Sequence, residues 1–436
     1  MIKQFLVLFF ALSSIVFSFA GDYDFDVSEF EKKPFEINTE LKINPILIGL
    51  NTDSIFYQLQ KKSGDSDFYS RWRFELYSSF KKGDNTLFFS GQSIIDIHEP
   101  ETEETNKVYE YYLESRVSAN WSFIIGKKSV KWGKGYVFNP VSFAGRQKDV
   151  NDVDASLEGY GLTSVQYIKS LKGPLSNYSV QIIALPGFTG NESEWDNMNS
   201  DFPTDAGWNF IGKLYLLYRD VDIDFYILYN ELQQNKYGFD MALNLTTNFE
   251  VHGEVSYEEN FERYKLFNES EGAGNEIQFE KFQVKKYLAG VRYLTVPGTT
   301  FILEYIYNEE GLSLDETKQY FEWVRNDTWP IMYDSSYIFP MEFYKEYFTH
   351  QFSMQNYLYL KASHPEPFDI LYFTPGIFSI YNLDDNSFQA TLDLSYSRFD
   401  DFLVSLKYSR MFGDENTEFG EKIITEKLEF NFTLTF

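Results

Sequence analysis

The chain has 436 residues, of which 44 are Phe, 33 are Tyr and 7 are Trp, and it contains no Cys. Its 65 acidic residues outnumber its 38 Lys and Arg residues, which gives a formal charge of -27. This balance argues against nucleic acid as a partner, because a phosphate backbone requires a basic surface. The absence of Cys excludes disulfide scaffolds, thiol catalysis and Cys-ligated zinc, and we expect neither a cofactor nor a metal.

Residues 1–20 are predicted to be a secretory signal peptide. Lys3 provides the positive charge, an apolar segment follows it, and residues 18–20 fit a cleavage site of small residues. An N-terminal membrane anchor is the alternative, but the apolar segment is short for a spanning helix and acidic residues come directly after it. We therefore expect cleavage after Ala20 and a single domain over residues 21–436.

Past this segment the sequence alternates between apolar and polar residues. A period of two places one apolar face and one polar face on a β-strand. No run approaches the roughly 18 apolar residues that a transmembrane helix requires. The chain is therefore predicted to be all-β. The alternation is clearest at the C-terminal end, where the apolar members are Leu428, Phe430, Phe432, Leu434 and Phe436.

The connections between these segments distinguish a membrane barrel from a soluble β-sandwich, which would show the same alternation. Short turns alternate with long polar stretches along the chain. Short turns at one end and long loops at the other are typical of a bacterial outer-membrane barrel. Tyr and Phe at the strand ends fit the aromatic girdles at the two membrane interfaces. The long stretches cover roughly 129–158, 186–208, 258–282, 309–348 and 412–424.

The predicted fold is a transmembrane antiparallel β-barrel with short periplasmic turns and long extracellular loops. We count about eighteen strands, within a range of roughly 16–20, and an even number is what such barrels have. Residues 45–59 could hold a further strand. The last strand ends on Phe436 and resembles the terminal strand that the barrel-assembly machinery recognises, which makes this machinery an expected partner. The segments begin near 36, 67, 86, 107, 120, 159, 176, 209, 221, 237, 249, 283, 299, 349, 369, 386, 401 and 424.

The apolar parity is taken as the lipid-facing one, which leaves many charged side chains inside the barrel. In a dry interior these charges would be costly, whereas in a water-filled channel they cost little and shape the field felt by a solute. We therefore predict an open pore for small hydrophilic solutes, surrounded by outer-membrane lipid. A lumen plugged by paired charges is the alternative. The expected pore-lining residues are Arg71, Arg73, Glu110, Glu114, Arg116, Lys128, Lys213, His252 and Arg292, and Arg219 and Lys407 are assigned to the same face.

The loop after the fifth strand carries the densest cluster of charges and turn residues. Its basic residues come first and its acidic residues follow, while Gly and Pro allow tight bends and close approach of the backbone. We expect residues 129–158 to fold inward as a constriction, with one charged edge facing each wall; an ordinary surface loop is the alternative. The expected constriction residues are Lys131, Lys134, Arg146, Lys148, Asp149, Asp152, Asp154 and Glu158.

A long loop after strand five that folds into the lumen resembles the constriction loop of the general porin superfamily. The string WGKG at residues 132–135, followed by NP at 139–140 and an acidic run, resembles a group of outer-membrane barrels akin to the alginate-export and substrate-specific porin types. Ser142 departs from this pattern, which has an acidic residue there, and Val150 and Val153 replace prolines. The resemblance implies a porin in the bacterial outer membrane that passes small hydrophilic solutes by diffusion.

An enzyme is not expected. His252 is the only His assigned to an inward strand position, and no nucleophile motif lies near it. A calcium site at Asp149, Asp152 and Asp154 would lack the loop glycine and the distal Glu of an EF-hand. A barrel hydrolase is therefore the weakest of the functions that we consider.

The main alternative to a channel is a structural or adhesive barrel with a plugged lumen. The stretch 309–348 is aromatic enough to be a lid, an adhesive tip or a surface that stacks on sugars, and the last would suit a carbohydrate-selective channel. A homotrimer is one expectation for the assembly, while the sequence leaves the solute open. The aromatic residues in question are Trp323, Trp329, Tyr333, Tyr337 and Phe343.

Overall fold

The computed structural model shows a closed antiparallel β-barrel of 18 strands. Every strand pairs with its neighbours along the chain, and the first strand pairs with the last. The predicted fold class and strand number are confirmed. The structure describes residues 35–60, 67–98, 101–146, 157–187, 199, 202, 207–230, 234–267, 276–326, 343–344, 347–348, 352–399 and 401–436.

The strands range from 8 to 19 residues in length. About 9–11 residues suffice to cross a bilayer, so the longest strands are long enough to extend beyond the membrane. The strands are β1 (Glu36–Leu50), β2 (Phe68–Lys82), β3 (Asn85–His98), β4 (Glu101–Arg116), β5 (Trp121–Lys128), β6 (Tyr160–Ser170), β7 (Leu175–Pro186), β8 (Trp208–Tyr218), β9 (Val221–Asn230), β10 (Lys236–Thr246), β11 (Phe249–Phe267), β12 (Glu276–Leu294), β13 (Thr300–Asn308), β14 (Asn356–Ser363), β15 (Phe373–Asn382), β16 (Phe388–Phe399), β17 (Phe402–Phe412) and β18 (Ile424–Thr435).

The two faces of each strand differ as the alternation predicts, and β9 is the clearest case. Phe225, Ile227 and Tyr229 point outward and are 45%, 47% and 54% exposed. Asp224 and Tyr226, of the opposite parity, point inward and are buried. An apolar band around a closed barrel suits contact with hydrocarbon.

The barrel closes between β1 and β18. Leu434 lies opposite Leu41, and the N–H of Phe436 donates a 2.8 Å hydrogen bond to the carbonyl oxygen of Thr39. Closure leaves neither strand with an unpaired edge, which is what a barrel in lipid requires.

Several strand bounds differ from the expectation. Most of the predicted loop 258–282 is strand, because β11 continues to Phe267 and β12 begins at Glu276. The register shifts between Glu258 and Phe261, and Asn260 has a positive φ of 55°. This bulge interrupts the period-two pattern, so the sequence alone placed a loop there.

Two assignments near the turns were wrong. The segment 45–59 contains no additional strand: β1 continues to Leu50, and a helix α1 (Ile55–Gln60) follows it. The Ser54 hydroxyl accepts the N–H of Phe56, as an N-cap does. Arg219 lies in the β8–β9 turn with a φ of 48° and not on the inward face of a strand, because a two-residue hairpin turn needs positive φ values.

Three long connections pack together at one end of the barrel. Phe56 of α1 contacts Tyr320 and Phe321 of the helix α2 (Leu314–Asn326), which lies between β13 and β14. The Glu421 carboxylate, between β17 and β18, forms an ion pair with Arg325 and accepts the N–H of Ile55. We call this unit the aromatic cap; its buried rings are those of Phe56, Tyr320, Phe321, Trp323, Phe343, Tyr344, Tyr347 and Phe348.

Burial in the aromatic cap corrects the expected use of the stretch 309–348. Trp323 is 8% and Phe343 is 1% exposed, so both are packing residues and not a surface that could stack on sugars. Trp329, Tyr333 and Tyr337 lie outside the described residues. Among the residues that the structure describes, no helix is long and apolar enough to span a membrane.

Candidate functional site

The described part of the loop after β5, residues 129–146, lies inside the barrel. Trp132 packs against the wall formed by β6–β9, with its ring 5.5 Å from that of Tyr226. Phe138 packs against the wall formed by β12–β15, with its ring 5.1 Å from that of Phe352. We call residues 129–158 the constriction loop. Its two apolar contacts therefore lie on two different parts of the inner wall.

Glu254 of β11 holds the middle of the constriction loop. Its carboxylate accepts hydrogen bonds from the backbone N–H groups of Lys134 and Gly135, the latter at 2.6 Å, and from the side-chain amide of Asn139 at 3.1 Å. The residue is 1% exposed. A chain that crosses a lumen leaves its N–H groups without strand partners, and this carboxylate supplies the acceptor.

The two glycines of the WGKG string are required by the path of the loop backbone. Gly133 has a φ of +101°, and a Cβ there would lie 2.6 Å from both the Glu254 carboxylate and the Asn139 amide. At Gly135 a Cβ would collide with the carbonyl oxygen of Phe138. Only glycine allows the backbone to approach so closely.

A second carboxylate, Glu304 of β13, accepts the N–H of Tyr136 at 2.8 Å. The same side chain lies 3.0 Å from Nε2 of His252, whose Nδ1 is 3.5 Å from Glu250. The His252 side chain is completely buried beneath the loop. The predicted pore-lining position of His252 is therefore wrong: the residue faces inward, but the loop covers it.

Lys134 points away from any passage and into an acidic part of the wall. Its Nζ lies 3.0 Å from Asp224 and 3.7 Å from Asp240, and Lys213 lies 3.2 Å from Asp224. Burial alone would lower the pKa of Lys134, but the neighbouring carboxylates of Asp224 and Asp240 outweigh it and raise that pKa. Both lysines are thus engaged by aspartates.

The loop borders a cavity of about 1030 Å³, which residues of β9–β13 also line. Lys131 lines the cavity and is exposed. Arg146 lines it as well, with its guanidinium group 4.7 Å from the ring centre of Tyr160. Of the predicted constriction residues that the structure describes, these two line the cavity.

Most of the acidic residues predicted for the constriction lie outside the described residues, and Glu158 is the exception. Glu158 forms a 2.6 Å ion pair with Lys127, which also donates to the carbonyl oxygen of Val108, so it fastens the base of the loop and does not face the lumen centre. The four remaining residues, Lys148, Asp149, Asp152 and Asp154, lie outside the described residues.

Most of the other predicted pore-lining residues lie on the wall formed by β2–β5. They are on its inner face, which has the parity opposite to that of the exposed Trp72. Several are paired: Arg71 with Asp96 at 2.6 Å, and Lys128 with Glu114 at 3.1 Å. The remaining predicted positions are Arg73 on β2, Glu110, which accepts the N–H of Ser129 at 2.8 Å, Arg116, which is exposed, and Arg292 on β12, which lies 3.9 Å from Glu250.

Sequence reasoning assigned no role to the acceptors Asp224, Asp240, Glu254 and Glu304. Acidic residues of inward parity were the available signal, but the alternation does not tell which strands the loop reaches. In the part of the chain that the structure describes, no group of three His, Asp or Glu residues could hold a metal ion.

Comparison with known proteins agrees with this fold. The chain is similar to a BenF-like porin from Pseudomonas fluorescens Pf-5, with a TM-score of 0.53 and 9% identity over 92% of this chain and 98% of that chain. It is also similar to Acinetobacter baumannii OccAB1 (TM-score 0.52, 10% identity, 92% and 96% covered) and to Pseudomonas aeruginosa OccK8 (OprE) (TM-score 0.50, 9% identity, 92% and 98% covered). No family model and no curated protein matches the sequence. The fold is that of the porins, so the resemblance is confirmed at the level of the fold.

Proposed function

We propose that this protein is an outer-membrane channel through which small hydrophilic solutes diffuse passively. The observation that carries the proposal is the arrangement of the constriction loop, which packs against the inner wall of the barrel and leaves a cavity of about 1030 Å³ beside it. Passive diffusion needs no cofactor. Charged side chains on the inner wall favour water and polar solutes over apolar ones.

The constriction loop sets the charge that a solute meets. Its exposed cation Lys131 and the guanidinium group of Arg146 supply positive charge, and Asp149, Asp152 and Asp154 supply negative charge. The total charge is -27, and the part of it that lies on outer loops is screened by salt within about 8 Å. We infer that local charge at the loop determines ion selectivity and that it forms a transverse field.

The proposed location is the outer membrane of a Gram-negative bacterium. The exposed apolar band and the porin fold support it, as does the predicted signal peptide with cleavage after Ala20. The barrel-assembly machinery would recognise the last strand, and lipid would surround the outer face. Catalysis is not part of the proposal, because His252 lies between carboxylates beneath the loop, out of reach of a solute.

The experiment that tests the proposal is conductance of the purified barrel in planar bilayers, with selectivity measured in a salt gradient. Stepwise current increments and swelling of sugar-loaded vesicles are the expected results. A folded barrel that neither conducts nor causes swelling would instead support a structural barrel with a plugged lumen. The aromatic cap and the loop that crosses the interior favour this second candidate.

A further inference from the structure

We propose that Glu254 is the residue that positions the constriction loop, and that it does so by binding main-chain N–H groups presented by the WGKG string at residues 132–135. The inference rests on the proposed function, since the position of this loop matters to transport only in a channel. It adds a positioning residue that is buried and contacts no solute.

The first support is mutual satisfaction of buried polar groups. Two main-chain N–H groups and the Asn139 amide donate to the Glu254 carboxylate, and the N–H of Val141 lies 3.5 Å from its second oxygen. With Glu254 1% exposed, water does not replace these donors. A buried carboxylate and buried N–H groups are each costly when unpaired, so each stabilises the other in this arrangement.

The second support is the shape of the backbone. The positive φ of Gly133 turns successive N–H groups toward one point, which is a concave anion site made by the main chain. The space that a Cβ at Gly133 would need is already filled by the Glu254 carboxylate. The glycine and the glutamate therefore form one unit, contributed by two distant parts of the chain.

The other polar contacts of the loop are weaker anchors. Lys134 reaches Asp224 through a long side chain that is 22% exposed, so this ion pair fixes the position of the loop main chain less directly than hydrogen bonds to its N–H groups do. Glu304 accepts one loop N–H, from Tyr136. Glu254 combines several donors with full burial, and its position on β11 lies between the two walls that the loop contacts.

A glutamine at this position cannot replace the carboxylate. Its single acceptor oxygen can take the place of Oε1, which the Lys134, Gly135 and Asn139 donors share, but it carries no charge, and its NH2 group in the place of Oε2 would face the N–H of Val141. We expect Glu254→Gln to lower the equilibrium constant for the docked loop about tenfold or more, which corresponds to the loss of one hydrogen bond to a charged group. Gly133→Ala should act in the same direction, because its Cβ displaces the carboxylate.

The control is Glu258→Gln, on the same strand and of the same inward parity. Glu258 pairs with Lys236 at 2.7 Å and has no hydrogen bond to the described part of the loop, so the variant makes the same change in charge without touching the anchor. Because the chain contains no Cys, a cross-link can be introduced cleanly. Val141 and Gly238 suit it: a Cβ at Gly238 would lie 3.0 Å from Cγ1 of Val141, within the reach of a disulfide.

The experiment records single-channel currents of the full-length protein and the rate at which Val141→Cys and Gly238→Cys form a disulfide. We expect Glu254→Gln to give fluctuating currents and slower cross-linking, by up to about tenfold, the Glu258→Gln control to keep steady currents and the parent's cross-linking rate although it lines the cavity, and the closed disulfide to restore steady current in Glu254→Gln. Heat-modifiable mobility on gels confirms a folded barrel.

Steady currents and unchanged cross-linking in Glu254→Gln would overturn the proposal, as would fluctuations that persist with the disulfide closed. The two readouts separate this inference from the proposed function. If the parent does not conduct, the channel assignment fails, while a slower cross-linking rate in Glu254→Gln still establishes the anchor. If the parent conducts and cross-linking is insensitive to Glu254, the channel stands and the anchor is wrong.

Discussion

The hydroxyl group of Tyr357, on β14, donates a 2.6 Å hydrogen bond to Glu418, which lies in the connection between β17 and β18. Both side chains are fully buried. The same carboxylate accepts the side-chain amide of Asn382 at 2.8 Å and the N–H of Ser353 at 3.1 Å. Burial raises the pKa of Glu418, and the cation of Lys422 opposes this only in part.

This relationship predicts a pH dependence with a definite sign. Because the folded arrangement raises the pKa of Glu418 above its ordinary 4.5, it holds a proton more tightly than the released loop does. The contribution to stability is therefore complete below pH 4.5 and is lost as the pH rises through the folded-state pKa. Hydrogen exchange at residues 413–423, corrected for its intrinsic pH dependence, should be slower in acid than at neutral pH. Glu418→Gln should abolish the difference and Glu415→Gln, at an exposed residue, should retain it.

A second prediction concerns the aromatic cap. Phe56→Ala removes a fully buried ring that contacts Tyr320 and Phe321, and such truncations typically cost about 3–5 kcal/mol. We expect protease cleavage within α2 to accelerate, while the heat-modifiable mobility of the barrel stays unchanged. Phe68→Ala, at a ring that is 62% exposed, is the control. Equal cleavage of both variants would show that the cap is not held by this core.

Removal of the constriction loop should widen the channel. A variant in which residues 129–158 are replaced by a short glycine linker is expected to have a higher single-channel conductance than the parent, because residues 129–146 of the loop lie inside the barrel. The measurement is made in bilayers at one salt concentration. A conductance equal to that of the parent would place the current path away from the loop.

Lys131 should contribute to ion selectivity because it is exposed beside the cavity. Lys131→Gln is expected to shift the reversal potential in a salt gradient toward cation selectivity. Lys281→Gln removes the same charge from a side chain that is 66% exposed and lies on the long β11–β12 hairpin, where salt screens it. If the two variants shift the potential equally, selectivity follows the total charge.

The acidic half of the loop should act in the opposite sense. Asp149→Asn combined with Asp152→Asn is expected to shift selectivity toward anions. Combining these substitutions with Lys131→Gln should bring the reversal potential back toward that of the parent. An unchanged potential in the double aspartate variant would mean that these carboxylates do not border the path of ions.

The barrel was predictable from the sequence because every strand repeats the same local rule. Inward and outward residues of β9 alternate without interruption from Asp224 to Asn230, and the last strand closes the sheet as its pattern requires. The rule failed where the local geometry departs from a regular strand. The bulge at Glu258–Phe261 interrupted the alternation, and the helix α1 followed a stretch of mixed residues.

The site was less predictable because its contacts join distant positions. The WGKG string indicated a special backbone, yet nothing in the sequence related it to Glu254, which lies more than a hundred residues away. The order of charges along the loop suggested two charged edges. In the structure, Lys134 instead enters the acidic wall at Asp224 and Asp240, because a long side chain can turn back toward buried carboxylates.

Attachment through main-chain groups has a consequence for how such a protein can be altered. The donors at residues 134 and 135 exist whatever side chain position 134 carries, so the frame of the loop does not depend on most of the residues that a solute meets. Lys131, Ser142 and Arg146 can then be exchanged for groups of other charge or size while the aperture keeps its dimensions. The two glycines of the string and Glu254 fix the position of the loop, and the side chains on its remaining surface can change the selectivity of the channel independently.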